Sequence, residues 1–397
     1  MRLKIHFWQW HVACGDIRNL VEIVNNLPVG YTGRLDILAN SSNTIVLNRM
    51  LVILCALLTA GPSIDESAEL ATHLMYSASL PETAASYARY CSNFMYGVVK
   101  YGDMSFQTAL RTRGRGKLFS TQPAVSIKKP VEMLRASYPL PKAMKSMKHN
   151  FQDAFNLDDR EKVLSSLQPS HRLALSRFWQ TGILTPFSVD LSTFKSPNRW
   201  VEFYPWIEDF WKIQWSRLMF TPQGEWIGLS GNVNPLHGWD VSAVRRTGLR
   251  YGIDSSGDIL GCLFFHVKSE LREFALRVKE LNINFHLVQY DPRLLSKGIS
   301  LGILPAFHGA SFDRIDMGDI GDEIGMAECL ADWAPLLNRE NGHACLMAHS
   351  KNWYKSVPGA VARDNPRAIE ALMKRCEKMH ELVRRTYIFW LLALILF

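Results

Sequence analysis

The 397-residue sequence is poor in the patterns that usually announce a chemistry. It contains no H-E-x-x-H, no P-loop, no paired C-x-x-C and no G-x-S-x-G. The familiar zincin, P-loop, zinc-ribbon and α/β-hydrolase arrangements are therefore not read in it. Cysteine is sparse and scattered: the seven, at 14, 55, 91, 262, 329, 345 and 376, are odd in number and never closer than sixteen residues apart. Such spacing gives neither a disulfide framework nor a metal site, so no metal is expected and a reducing compartment fits, the cytoplasm with the nucleus left open. The twelve His are dispersed, and His343 with Cys345 is too little for a catalytic dyad. Residues 1–14 lack the long apolar core and small-residue cleavage site of a secretory signal.

Long apolar runs are also missing. The clearest is Tyr387 to Phe397, eleven residues that follow Arg384, Arg385 and Thr386. A membrane span needs about 20, so no membrane partner is expected. What is present is globular in kind: 47% hydrophobic and 21% charged residues, with room for roughly two to three domains. The net charge of +8 is local. Between Lys100 and Asn150, eleven Lys and Arg face only Asp103 and Glu132, which leaves the rest of the chain near neutral.

The chain opens in strand–helix rhythm. Phe7 to Cys14 is aromatic and β-branched and ends in Gly15-Asp16; Ile17 to Asn26 has apolar residues at helical spacing. Pro28, Gly30 and Gly33 break it, Leu35 to Ala39 is a short strand, and Thr44 to Thr59 an apolar helix. From Ile64 to Lys100 the pattern is helical in two segments divided near Pro81. Arg111 to Lys117 (RTRGRGK) reads as a loop, and helices follow at 141–156, 158–167 and 170–181. Residues 200–239 hold half of the twelve Trp and read as irregular structure packed by aromatics. The α/β rhythm then returns: a helix at 264–281, strands at 284–290, 312–317 and 344–348, a helix at 323–337, and a basic helix at 366–385. Each α/β block alone has too few strands for a sheet of usual width. The expected architecture is therefore α/β with one sheet, interrupted by a long, mostly helical insertion. The divisions are 1–60 and 256–360 for the two parts of the α/β domain, 61–255 for the insertion with its basic segment 100–150, and 361–397 for a C-terminal helix and apolar tail.

Ligands of open α/β sheets bind beyond the carboxyl ends of the strands. The first strand delivers Cys14, Gly15 and Asp16, where glycine permits close backbone approach and the next helix points its amide-rich end. A dinucleotide fingerprint wants three Gly, and only one is here; a plain turn with an Asp helix cap is the alternative. The second strand ends in Asn40-Ser41-Ser42-Asn43 in place of the acidic residue that holds a ribose, which counts against a nucleoside cofactor. Asp291 could accept from an exocyclic amine and Asp319 serve a substrate or a proton, or both are loop acids and caps. Arg111, Arg113, Arg115 and Lys117 suggest a phosphate-bearing partner such as RNA, with a solvated face as the alternative.

The segments ACGDIRNLVEIVNNLP and LDILANSSNTIVLNRMLVIL resemble the opening domain of a mainly fungal family catalogued as domain of unknown function 4470 (DUF4470). Dynein axonemal assembly factor 3 carries a related domain. HRLALSRFWQTGILTPF, DILGCLFFHVKSELREFALRV and FDRIDMGDIGDEIGMAECLADWAPLL also resemble long members, so the likeness runs from about Cys14 to Gly359. The resemblance implies a methyltransferase-like Rossmann fold with Gly15-Asp16 at the S-adenosylmethionine loop. Many relatives end the second strand in Asn-Asp where this chain has Asn40-Ser41. As an enzyme the protein would be an S-adenosylmethionine-dependent methyltransferase, with Gly15 and Asp16 shaping the loop, Asn40 meeting the ribose, Asp291 the adenine and Asp319 the reacting end. As a scaffold or assembly factor it would hold a protein partner through the helical insertion. The sequence leaves the choice, and the catalytic residues, open.

Overall fold

A computed structural model describes residues 2–8, 17–59, 63–99, 105–123, 167–197, 234–318 and 320–348, with isolated residues at 126, 141, 145, 164–165, 350 and between 366 and 378. The chain begins with β1 (Arg2–Trp8), α1 (Arg18–Asn25), β2 (Arg34–Asn40) and α2 (Thr44–Leu58). Next come α3 (Ile64–Tyr76), β3 (Ser79–Leu80), α4 (Glu82–Val99), and the strands β4 (Ser105–Arg111) and β5 (Lys117–Pro123). Beyond them lie α5 (Pro169–Thr181), β6 (Ser196–Pro197), α6 (Val241–Arg250), α7 (Ile259–Glu280) and β7 (Asn282–Val288). The last stretch holds α8 (Pro292–Ser300), β8 (Arg314–Asp316), α9 (Gly321–Ile324), α10 (Met326–Trp333) and β9 (Cys345–Met347).

Strands from both α/β blocks lie in one sheet of order β4-β5-β7-β2-β1-β8-β9. All neighbours are parallel except the β4–β5 hairpin. In the centre Ile5 of β1 pairs Ile37 of β2, and Ile37 pairs Phe285 of β7. Because side chains alternate along a strand, β2 and β7 feed two cores. Leu35, Ile37 and Ala39, with Ile283, Phe285 and Leu287, join α1, α2, α3 and α7 on one face. Leu38 and Val288 join α8, α10 and Phe307, Phe312 and Ile315 on the other. A parallel sheet covered on both faces explains why α2 is apolar nearly all round.

Local chemistry sets the boundaries. The helix expected from Phe264 starts at Ile259, because Asp258 accepts the Gly261 amide at 2.8 Å and caps it a full turn earlier. The strand expected at 284–290 is Asn282–Val288, so Tyr290 and Asp291 have already left the sheet. The single helix expected at 323–337 is broken at Gly325, whose φ of 90° is costly for residues with a Cβ, and ends in a 3-10 turn at Ala334–Leu336 around Pro335. The first strand lies at Arg2–Trp8; its expected continuation to Cys14 falls outside the described residues. So do most of the helices at 141–156 and 158–167 and the Trp-rich residues 200–226.

The expectation for 61–255 needs one correction. Its residues 105–123 are a hairpin whose second strand pairs β7, Leu118 against Phe285, and extends the main sheet. The RTRGRGK loop is the turn of this hairpin: Arg111 ends β4, Lys117 begins β5, and 112–116 connect them. The signal in β5 is its alternation, with Leu118, Ser120 and Gln122 buried and Lys117 and Pro123 exposed; two of the three buried residues are polar, which hides it from a hydrophobic reading.

Candidate cofactor-binding edge

Since β7, β2, β1 and β8 are parallel neighbours, their carboxyl ends share one edge of the sheet. The chain moves from β1 to β2 on one side and later places β8 and β9 on the other, so the strand order reverses between β1 and β8. Such a reversal opens a crevice where ligands of α/β sheets commonly sit. Four of the positions singled out above follow or end these strands: Gly15-Asp16 after β1, Asn40 in β2, Asp291 after β7 and Asp319 after β8. Cys14, Gly15, Asp16 and Asp319 fall outside the described residues; Asn40 and Asp291 fall inside.

Asn40 is buried, and its side-chain amide spans two strand ends. Its Nδ2 donates to the Tyr290 carbonyl at 3.1 Å, and its Oδ1 accepts the Tyr290 amide at 2.9 Å. Ser41 N donates to the Val288 carbonyl at 3.2 Å. Beside them Gln289 donates through Nε2 to Thr44 Oγ1 at 2.8 Å and to the Ser42 carbonyl at 3.3 Å. Its Oε1 is buried and accepts no hydrogen bond among the described residues. Deeper still, Asn48 and Gln122 exchange two amide hydrogen bonds of 3.1 Å, and Gln122 also donates to Ser120 Oγ at 2.8 Å. The ends of β2, β5 and β7 thus carry neutral amides and hydroxyls, groups that recognise hydroxyls and exocyclic amines rather than charge.

Asp291 is the helix cap of α8, accepting the Arg293 amide at 3.0 Å. The Arg293 guanidinium on its carboxylate holds it below the usual aspartate range, against a smaller opposing effect of partial burial. Burial raises the neighbouring Tyr290 phenol.

One cluster was not anticipated. Asp36, buried in mid-strand, accepts from Arg34 at 2.9 Å and from Asn284 at 2.9 Å, with His286 Nε2 at 3.6 Å. His286 stacks on Phe119 and meets Phe307 edge-on. The legible signal was an acid inside the apolar run LDILA. The Asp36–Asn284 bond ties β2 to β7 in their amino halves, with His286 opposite Leu38 one step past the middle. His73 is likewise structural: burial lowers its pKa to about 4, and Nδ1 lies 3.0 Å from Ser77 Oγ. Among the described residues no group of three or more His, Cys, Asp and Glu is placed to hold a metal.

The basic turn lies elsewhere. As β5 runs parallel to β7, its start at Lys117 and the 112–116 turn sit at the amino edge, opposite the carboxyl edge of the sheet. Gly114 and Gly116 press on α7 and β7: a Cβ on Gly116 would lie 1.6 Å from the Ile283 carbonyl oxygen, and one on Gly114 2.1 Å from that of Val278. Arg113 reaches Ser67 Oγ at 2.9 Å, whereas Arg115 and Lys117 are exposed.

Residues 7–80 match the family model described as Domain of unknown function (DUF4470). The DUF4470 segment runs from the end of β1 through α1, β2, α2 and α3 to β3, and so includes Asn40 and the residues between β1 and α1. It is a minority of the chain and stops short of β7, α8 and Asp291. No curated protein and no solved structure matches the chain.

Proposed function

We propose that the protein has a methyltransferase-like Rossmann core and binds S-adenosylmethionine at the carboxyl edge, between the loops that follow β1, β2, β7 and β8. The observation that carries this reading is the strand order. With the β4–β5 hairpin set aside as an addition outside β7, β1, β2, β7, β8 and β9 in chain order stand in space as third, second, first, fourth and fifth, which resembles the doubly wound arrangement whose ligands lie at the reversal. In this reading Cys14, Gly15 and Asp16 form the cofactor loop, Asn40 faces the ribose, Asp291 the adenine and Asp319 the reacting end. The unfilled Gln289 acceptor supports a ligand that brings a donor, such as a ribose hydroxyl or an adenine amine. The free Cys55, Cys91, Cys262, Cys329 and Cys345 suit a cytoplasmic setting.

A second reading is a non-catalytic scaffold or assembly factor, the role that the resemblance of the first domain to dynein axonemal assembly factor 3 implies, holding a protein partner through the insertion. It is favoured by the way Asn40 and Asp291 are already engaged, by Tyr290 and Arg293 respectively. Calorimetric titration with S-adenosylmethionine and its demethylated product separates the two. Micromolar binding, lost in Asp16→Ala and weakened in Asp291→Ala, supports the first. The absence of heat at millimolar ligand would remove it and leave the scaffold, to be pursued by cross-linking partners to 61–255.

A further inference from the structure

We infer that Cys55 and Cys91 form a peroxide-sensitive dithiol, a modification site whose disulfide locks α4 onto α2. Spacing along the chain hides the pair, since the two cysteines lie 36 positions apart. Folding brings them together. Cys55 sits in the last turn of α2 and Cys91 near the middle of α4, each 1% exposed. Their thiols lie within hydrogen-bonding reach of one another. The two helices are held in this register right beside the pair. Tyr87, one turn before Cys91, donates through Oη to the carbonyl of Ala56 at 3.0 Å.

Buried cysteines that only pack behave as small apolar groups. Cys262 is of that kind, its Sγ pressed on Gly248, and so is Cys329, whose Sγ meets Met317 Sδ at 3.4 Å. The Cys55–Cys91 pair instead gathers hydroxyls: Thr59 Oγ1 lies 3.8 Å from Cys55 Sγ, and the Tyr87 phenol reaches Cys91.

These contacts make the two thiols unequal. The bond from Cys91 lowers the pKa of Cys55, burial opposes it, and Thr59 lowers it a little further. The same bond raises Cys91, and burial raises it again. Cys55 is therefore the attacking sulfur and Cys91 the resolving one. The Cys55 thiolate attacks one oxygen of hydrogen peroxide, the O–O bond breaks, and hydroxide leaves with the Cys55 proton as water. Cys55 is now a sulfenic acid. Cys91 sulfur attacks the Cys55 sulfur, the S–O bond breaks, the S–S bond forms, and a second water leaves with the Cys91 proton. Two thiols are oxidised and one peroxide is reduced to two waters; an external dithiol reverses the bridge.

Burial also selects the oxidant. The pair lies under Tyr87, which is half-buried and stacks on the exposed Tyr90 with ring centroids 6.2 Å apart. A small uncharged peroxide can pass such a cover, and a bulky disulfide cannot. The bridge joins α2, inside the DUF4470 segment, to α4 beyond its end.

The test exposes the folded full chain to hydrogen peroxide, blocks the remaining thiols with iodoacetamide and maps the peptides by mass spectrometry. A Cys55–Cys91 cross-link should appear ahead of oxidation at Cys262 and Cys329, and dithiothreitol should remove it. Cys91→Ala should leave a Cys55 sulfenic acid that dimedone traps, whereas Cys55→Ala should leave Cys91 unoxidised. In the bridged chain the amides of Tyr87 to Cys91 should exchange about tenfold more slowly or less, because opening α4 away from α2 is now constrained. A cross-link that forms only in urea, or sulfinic acid on Cys55 of the parent chain in place of the bridge, would overturn the proposal. So would a bridged chain whose α4 amides exchange as fast as before.

Discussion

The side-chain amide of Asn40 closes a two-point hydrogen-bonded ring on the backbone of Tyr290, its Nδ2 on the carbonyl and its Oδ1 on the amide. An asparagine in this position acts as one more residue of ladder between β2 and the chain leaving β7. Asn40→Ala leaves both Tyr290 groups without their partner and should cost about 1–3 kcal/mol in urea unfolding. Asn40→Asp should be no better, because a carboxylate cannot donate to the Tyr290 carbonyl. An unchanged midpoint in both variants would mean that the ring adds nothing to stability.

A second prediction concerns the hairpin. Gly116→Ala drives a Cβ into the Ile283 backbone, which cannot swing aside as a side chain would. The β5–β7 pairing should loosen, at a cost of about 1–3 kcal/mol or more. Hydrogen exchange at the Leu118 to Thr121 amides should rise well above the parent; retained protection there would contradict the packing described.

The basic turn divides by burial. Arg115→Glu with Lys117→Glu should leave stability within about 0.5 kcal/mol, as both are exposed. The same pair should abolish any retention of the protein on RNA. Arg113→Glu should also destabilise, through loss of the Ser67 contact. RNA retention that survives the double reversal dismisses the turn as a nucleic-acid site.

His73 sets a pH dependence. Burial, the main cause, lowers its folded pKa to about 4 from 6.5, with Glu69 opposing and Lys268 reinforcing. Below 6.5 the unfolded chain takes up a proton that the folded protein refuses until about 4. This contribution is therefore complete above pH 6.5, falls as pH drops to 4, and is flat below; the loss is about 3 kcal/mol. His73→Gln should flatten that part of the stability profile. A slope equal to the parent's between pH 6.5 and 4 would show that other groups produce it.

The elements most legible in the sequence were those with one strong pattern. Leu20, Val21 and Val24 announced α1, and the apolar run after Thr44 announced α2. The hairpin was missed because Ser120 and Gln122 face inward on hydrogen bonds, so burial there is not hydrophobic. At the site, Asn40 and Asp291 were found from their position at strand ends. The helix-cap role of Asp291 was among the readings offered for it; the hydrogen bonds of Asn40 were not foreseen, because its partner lies 250 residues away. The same distance hid Asp36, whose partner Asn284 is 248 residues off.

That separation bears on how the protein is made. The DUF4470 segment ends at residue 80, yet β2 within it is flanked by β7 on one side. Expressed by itself it would present one long edge of β2, with open amides and carbonyls, to any strand it met. During synthesis at about 5–20 residues per second, β2 waits roughly 12 to 50 seconds for the ribosome to deliver its neighbour. The matched segment is thus narrower than the sheet it belongs to, and the sheet stays unfinished for most of the protein's translation.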